Sequence, residues 1–266
     1  MDRALIEKHL KTKRLGQKLG LFDRIEYSTN DAVFELAGEG ASHGTTVIAG
    51  VQENGKGRLG RTWLSGEGSL AMSILLRPDM PAHELPPLTL VCALSVRRAI
   101  TGFGGNGAVR VKWPNDILVY GKKVCGILLE QRTVSSKNCV VAGIGVNVSQ
   151  ESFPDDLPGA ASLRLSGINA EREALAAEVL NHFEEDYEKF VRGGFEPFVS
   201  EYTACMAGVG VHADVLDSAA SGGDKESAAI AASGVCRGVD TEGRFLLELP
   251  DGERLAFAGG EISIRS

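Results

Sequence analysis

The 266-residue sequence has little that would make it a membrane, disulfide-rich or metal protein. No run of about 18 apolar residues is present, so no segment has the length of a membrane-spanning helix. The N-terminus carries no apolar stretch of the kind a secretory signal needs. Cysteine is limited to five widely spaced positions, 92, 125, 139, 205 and 236, mostly within apolar runs. An odd number without metal-ligand spacing excludes a disulfide framework and a zinc knuckle, and reads as reduced core cysteine of a cytoplasmic protein. The five histidines form no cluster; His43, just before a strand, reads as a surface residue. Positive charge is the minority: 28 Lys and Arg stand against 35 Asp and Glu, a net −7. Internal repeats are absent. Seven cations do gather in residues 1–24, against three acids, which predicts a solvated first helix or a frayed end.

Against that acidic background, residues 52–68 stand out. Five glycines, three cations and one tryptophan fall within seventeen residues, between two apolar runs. Glycine lets a backbone approach a ligand closely, and Lys56, Arg58 and Arg61 supply charge for a phosphate. Two familiar patterns fail here. Gly55, Gly57 and Gly60 match the dinucleotide fingerprint, but no helical pattern follows them. Gly50, Gly55 and Lys56 match a phosphate loop except that Gly57 stands where Ser or Thr would hold magnesium. Taken alone, the segment reads equally as a ligand lid or as a solvated surface loop.

Periodicity and turn residues outline the rest. Ser28 reads as the N-cap of a helix running to Gly38, with Asp31 closing a capping box. Strands are expected at 45–51, 70–76, 109–112, 117–120, 123–131 and 138–148, and a helix from Pro86-Pro87 to about Gly102. Gly121-Lys122 reads as a two-residue hairpin turn with glycine first, which puts Lys123 at the start of a strand. Residues 171–191 form the clearest amphipathic helix, with Leu175, Val179, Phe183 and Tyr187 four apart. Beyond Gly208 short strands take over, which predicts a small all-β unit. Residues 217–234, rich in Ala, Ser and Gly, read as a floppy surface insertion.

Several blocks together resemble the biotin–protein ligases. They are Ser28-Thr29-Asn30, the glycine-rich Gly55–Arg61 with Trp63, and the Lys112-Trp-Pro-Asn-Asp116 box. Lys123 with Gly126, Gly143–Asn147 and Gly259–Arg265 complete the set. The resemblance runs from about residue 24 to the end. One departure is Lys56, where the glycine-rich motif usually has arginine; lysine keeps the charge but loses the flat fork.

The resemblance implies an α+β fold, a mixed sheet packed with helices and related to class II synthetases, with a small C-terminal SH3-like β-barrel. It divides the chain into a catalytic unit, 1–207, and a C-terminal unit, 208–266. It implies a ligase that joins biotin and ATP into biotinyl-5′-adenylate, then passes the biotin to one lysine of a biotin carboxyl carrier protein. Lys123 bridges the biotin carboxylate and the α-phosphate, with Arg58 and Arg61 on phosphate oxygens. Ser28, Thr29, Asn30, Gln52, Lys56, Gly57 and Gly126 complete the biotin site. Trp63, Lys112, Asn115 and Asn147 fall to ATP, Asn147 reading the adenine edge; Trp63 either packs on the ligand or anchors the loop. Magnesium accompanies ATP, with Asp116 as a ligand, unless Asp116 orients Lys112 or caps a turn.

Two alternatives stand beside this reading. A lipoate or octanoate ligase would need a longer apolar slot. A biotin-responsive repressor would need a DNA-reading unit, and the residues before Ser28 carry no helix-turn-helix signal. The expectation is therefore no specific DNA binding, no membrane partner, and a sheet edge able to pair with a second copy or with the carrier.

Overall fold

The computed structural model describes residues 1–135, 137–217 and 229–264. Its larger sheet contains β1 (Leu19–Ile25), β2 (Thr46–Lys56), β3 (Thr62–Ser65), β4 (Ser69–Leu76), β5 (Val109–Lys112), β6 (Asp116–Val119), β7 (Lys122–Val134) and β8 (Lys137–Asn147). The strand order is β1-β2-β4-β8-β7-β6-β5, with β3 paired to β2 beside this path. The β1–β2 pair is parallel and the other pairs are antiparallel.

Helices cover both faces of this sheet, and the pattern of β4 shows why. All eight of its residues are buried. Leu70, Met72, Ile74 and Leu76 join the core beneath α3 (Leu88–Gly102) and α4 (Arg172–Gly193), while Ala71 and Leu75 join the one beneath α2 (Thr29–Gly38). A strand buried on both faces needs a continuous apolar run, and β4 has one broken only by Ser69 and Ser73. In α4, Leu175, Val179, Phe183, Tyr187 and Phe190 form the buried stripe that the spacing predicts.

The first residues are tied down rather than frayed. The short helix α1 (Arg3–His9) buries Ile6, and the Glu184 carboxylate of α4 accepts the backbone N–H groups of Lys13, Arg14 and Leu15 at 2.5–2.8 Å. His43 is half-buried rather than a freely solvated surface residue. It packs on Tyr187 with ring centroids 5.2 Å apart, its Nδ1 accepts from the Arg77 amide, and burial holds its imidazole below the ordinary range.

The hairpin before Lys123 is displaced by one residue from the expected turn. Tyr120 and Gly121 both have positive φ, 49° and 78°, and Val119 faces Lys122. This is the turn geometry that matches strand twist, so Tyr120-Gly121 forms the corner and Lys122 opens β7. The register then shifts between Ile117 and Leu118. Lys122 lies exposed, while Lys123 turns to the helix-α2 side of the sheet.

The C-terminal strands are β9 (His212–Asp217), β10 (Ala229–Val239), β11 (Phe245–Glu248), β12 (Arg254–Phe257) and β13 (Glu261–Ile264). They form one antiparallel sheet in the order β12-β11-β10-β9-β13. Among the described residues nothing pairs β12 with β13, so the expected barrel is an open sheet. The predicted 217–234 insertion is also shorter: residues 218–228 lie outside the described residues, and 229–234 already pair with β9. Cross-strand pairing there overrides the weak strand preference of Ala and Ser.

This sheet docks firmly on the first. Trp113 Nε1 donates to the Gly243 carbonyl at 3.0 Å, and the Trp113 and Phe245 rings lie 5.5 Å apart. Phe245, Leu247, Cys236 and Ile262 belong to the same buried cluster as α3 and α4. The short helix α5 (Val199–Cys205) bridges the two sheets.

Candidate active site

A pocket of about 170 Å³ lies on the α2 face of the larger sheet. Its floor is made by missing side chains. Gly126 of β7 and Gly143 and Gly145 of β8 point to this face. A Cβ at Gly143 would overlap the Asn30 amide; one at Gly145 would overlap the Trp63 indole, and one at Gly126 would come within 2.9 Å of it. Glycine inside a strand marks such close approach.

One wall is the start of α2. Ser28 caps the helix by accepting the Asn30 amide, and Ser28, Thr29 and Asn30 are all buried. The triplet is held by a small polar network. Gln52 Oε1 accepts from the Thr29 amide at 2.7 Å and from its hydroxyl at 3.1 Å. Ser73 Oγ bridges Thr29 Oγ1 at 2.7 Å and Asn30 Oδ1 at 2.6 Å. Asp31 does not close the expected capping box; its carboxylate pairs with Lys56 and Arg132.

The other wall is the glycine-rich segment, which folds as a strap rather than an irregular loop. β2 runs on to Lys56, a 3-10 turn spans Arg58–Gly60, and β3 returns along β2. Leu59 and Gly60 take positive φ, 56° and 74°, at the tip; that conformation is strained for leucine and free for glycine. Each cation has a fixed acceptor. Lys56 Nζ is 2.5 Å from Asp31 Oδ2, Arg58 Nη1 donates to Asn115 Oδ1 at 3.0 Å, and Arg61 makes a two-pronged pair with Glu261 at 2.5 and 2.7 Å. Burial pulls the Arg58 guanidinium down from its ordinary value, opposed by Asp116 and Glu261; arginine nonetheless stays charged.

Lys123 enters from the sheet edge. Its Nζ is 2.7 Å from Asp116 Oδ1 and 5.5 Å from the centre of the Trp63 ring. Its backbone is clamped on both sides: its N–H donates to the Gly159 carbonyl at 2.8 Å, and its carbonyl accepts from the Ala161 amide at 2.9 Å. Trp63 lies on the glycine floor with its indole N–H buried and without an acceptor among the described residues.

The fold thus brings together Ser28, Thr29, Asn30, Gln52, Lys56, Gly57, Arg58, Arg61, Trp63, Asn115, Asp116, Lys123 and Gly126 around one cavity. Two expected residues lie elsewhere. Lys112 is at the end of β5 and does not line the cavity. Asn147 is buried and does not line it, with Nδ2 on the Ala161 carbonyl at 3.1 Å and Oδ1 accepting from Gln150 at 3.0 Å. Four contributors were missed, Ser73, Gly143, Gly145 and Glu261. Ser73 carried no signal in an apolar strand. Gly143, Gly145 and Glu261 lie in the quoted glycine and C-terminal blocks, but the sequence does not show that any of them reaches the pocket. Among the described residues no group of three or more His, Cys, Asp or Glu could hold a metal; two carboxylates line the cavity, Asp116 paired with Lys123 and Glu261 paired with Arg61.

Cations on a strap, a polar helix start and a side-chain-free floor define an enzyme site that activates an acid against a phosphate, a ligase. Known proteins agree. Residues 21–147 match the biotin/lipoate A/B protein ligase family, and residues 229–265 match the biotin protein ligase C-terminal domain. The bifunctional ligase/repressor BirA of Bacillus spizizenii is 36% identical over 91% of this chain and 73% of that protein. The biotin–[acetyl-CoA-carboxylase] ligase of Mycobacterium tuberculosis is 29% identical over 90% of this chain and 86% of that protein. The biotin protein ligase of Aquifex aeolicus in complex with biotin and ATP superimposes with a TM-score of 0.77, at 30% identity, over 94% of this chain and 99% of that one. The chain belongs to the biotin/lipoate A/B protein ligase family.

Proposed function

We infer that this chain uses ATP to activate biotin as biotinyl-5′-adenylate and transfers it to a lysine of a biotin carboxyl carrier protein domain. The observation that carries this reading is the single cavity in which Lys123, Arg58 and Arg61 face the Ser28–Asn30 helix start. A carboxylate must approach an α-phosphate there, two anions that repel each other. Lys123, fixed by its backbone clamp and by Asp116, lies between them as the bridging cation. A carboxylate oxygen of biotin attacks the α-phosphorus and pyrophosphate leaves. The ε-amine of the carrier lysine then attacks the anhydride carbonyl, and AMP leaves with the bonding pair. Arg58 and Arg61 hold phosphate oxygens in both steps, each oriented by its own partner, Asn115 or Glu261.

The urea-like head of biotin offers two N–H donors and a carbonyl acceptor, and the mixed donors and acceptors of Ser28, Thr29, Asn30 and Gln52 fit it. Magnesium suits this site as an ion held mainly by phosphates and water, with Asp116 as the protein ligand; it would neutralise phosphate charge. Asn147 and Lys112 support ATP from outside the cavity, Asn147 by anchoring the 161 region that clamps Lys123.

The presence of two separate sheets supports a division into a catalytic unit, 1–207, and a C-terminal unit, 208–266. The five free, buried cysteines accord with a reducing, cytoplasmic setting, and no described helix is long and apolar enough to cross a membrane. The short helix before β1 is seated on α4, where Asn181 Oδ1 accepts from the Lys11 amide. The sheet edge at β1 is open to a second copy. The test is transfer of labelled biotin from ATP and biotin to a purified carrier domain. Labelling of one lysine supports the reading, and labelling with lipoate at equal rate contradicts it.

A further inference from the structure

Lys56 stands where the strap leaves the sheet, and its ammonium meets Asp31 on the first turn of α2. Asp31 does not line the cavity; it lies behind the Ser28–Asn30 triplet. Its second oxygen is 3.2 Å from Arg132 Nη2, and Arg132 also pairs with Glu130 Oε1 at 3.0 Å. The Arg132 guanidinium is pinned over the Phe34 ring, 4.0 Å from its centre. Glu130 Oε2 then accepts from Asn30 Nδ2 at 2.8 Å. A continuous chain of side chains therefore runs Asn30–Glu130–Arg132–Asp31–Lys56, from the helix start to the strap. The four charges alternate in sign along it, so Arg132 and Asp31 each have an opposite charge on either side.

The three cations of the strap are held differently. Arg58 rests on a neutral amide, and Arg61 on the C-terminal sheet. Lys56 is tied, through Asp31, to the helix that carries the polar triplet. A lysine suits that link: it is a compact charge that one carboxylate can hold, without the planar fork an arginine would have to seat. Both groups are partly exposed, with side chains 46% and 24% accessible. Such a pair is modest in strength and reversible, as a latch must be.

We propose that Asp31 is a positioning residue for the adenylate. Acting through Lys56, it fastens the glycine-rich strap to the start of α2 across the cavity. The Glu130–Arg132 link makes that fastening depend on how Asn30 is set. The consequence is retention of the reactive anhydride rather than acceleration of its formation. This role rests on the ligase reading above.

The test compares Asp31→Asn, Asp31→Glu, Lys56→Met and the Asp31→Asn/Lys56→Met double variant with the wild type. Two quantities are read: the release rate of preformed biotinyl-adenylate, and kcat of biotin-dependent pyrophosphate exchange. Asp31→Asn should speed release by about three- to fivefold, the upper range for a partly exposed ion pair, with kcat for exchange within about twofold. Asp31→Glu should restore slow release. The double variant should release no faster than Lys56→Met, because the two changes break one link. Unchanged release in Asp31→Asn, or additive effects in the double variant, would overturn the role of Asp31. Absence of biotin-dependent exchange in the wild type would instead contradict the ligase reading itself.

Discussion

Lys122 and Lys123 are adjacent in sequence and opposite in surroundings. Lys122 is exposed at the start of β7, whereas Lys123 points into the cavity against Asp116 and Trp63. A fixed cation aimed at developing charge is worth on the order of 3–4 kcal/mol, about a hundredfold or more in rate. Lys123→Ala should therefore nearly abolish adenylate formation while circular dichroism stays unchanged, and Lys122→Ala should leave the rate within about twofold. Equal losses would mean that the turn at Tyr120-Gly121 does not sort the two lysines as described. Arg58 gives a second residue-scale prediction. Its guanidinium touches Asn115 and sits at the strap tip, so Arg58→Gly should loosen the hold on the adenylate as well as slow its synthesis. The expected sign is stray biotinylation of an unrelated protein; no increase over the wild type would show that Arg58 does not retain the intermediate.

Short elements with local signals were the legible part of this site. The Ser28 cap, the α4 stripe and the strands around the strap follow from residue type and spacing, because capping and amphipathic periodicity act within a few residues. The Lys123–Gly126 pair was legible only together with the Lys112–Asp116 box. Distant pairings decide the rest. Ser73 orients Thr29 and Asn30 from a different strand, and its sequence context, an apolar run, suggests plain core. Asn147 sits at a strand end, where an exposed amide is a natural expectation, yet the chain after β8 folds back and takes up both of its polar groups. The glycine floor is likewise a property of neighbouring strands: Gly126 and Gly145 are paired across β7 and β8. The added methyl of Gly145→Ala overlaps the Trp63 indole, so the ring must leave the floor. That change should raise KM for biotin about tenfold, equivalent to ~1.4 kcal/mol, with a smaller effect on kcat. Steady-state kinetics at saturating ATP would check it, and an unchanged KM would show that the place of the Trp63 ring on the glycine floor does not shape the biotin site.

At the scale of the whole molecule, the two sheets share one buried cluster, and the strap is tied to both. Phe245 packs at a tilt against Trp113 within that cluster and is fully buried. Truncating a buried phenylalanine costs about 3–5 kcal/mol, and here the loss should be felt by both sheets. Phe245→Ala should lower a single thermal transition followed by both far-ultraviolet dichroism and tryptophan fluorescence; separate transitions would show that the C-terminal sheet unfolds independently. Glu261, buried at the start of β13, holds Arg61 of the strap and so ties the strap to the C-terminal sheet. The central claim is that all these parts serve one reaction, the activation of biotin by ATP. The most direct measurement is exchange of labelled pyrophosphate into ATP by the purified chain, with biotin, with lipoate and with neither. The account predicts exchange that requires biotin and is lost in Lys123→Ala. Exchange without biotin, or equal exchange with lipoate, would contradict it.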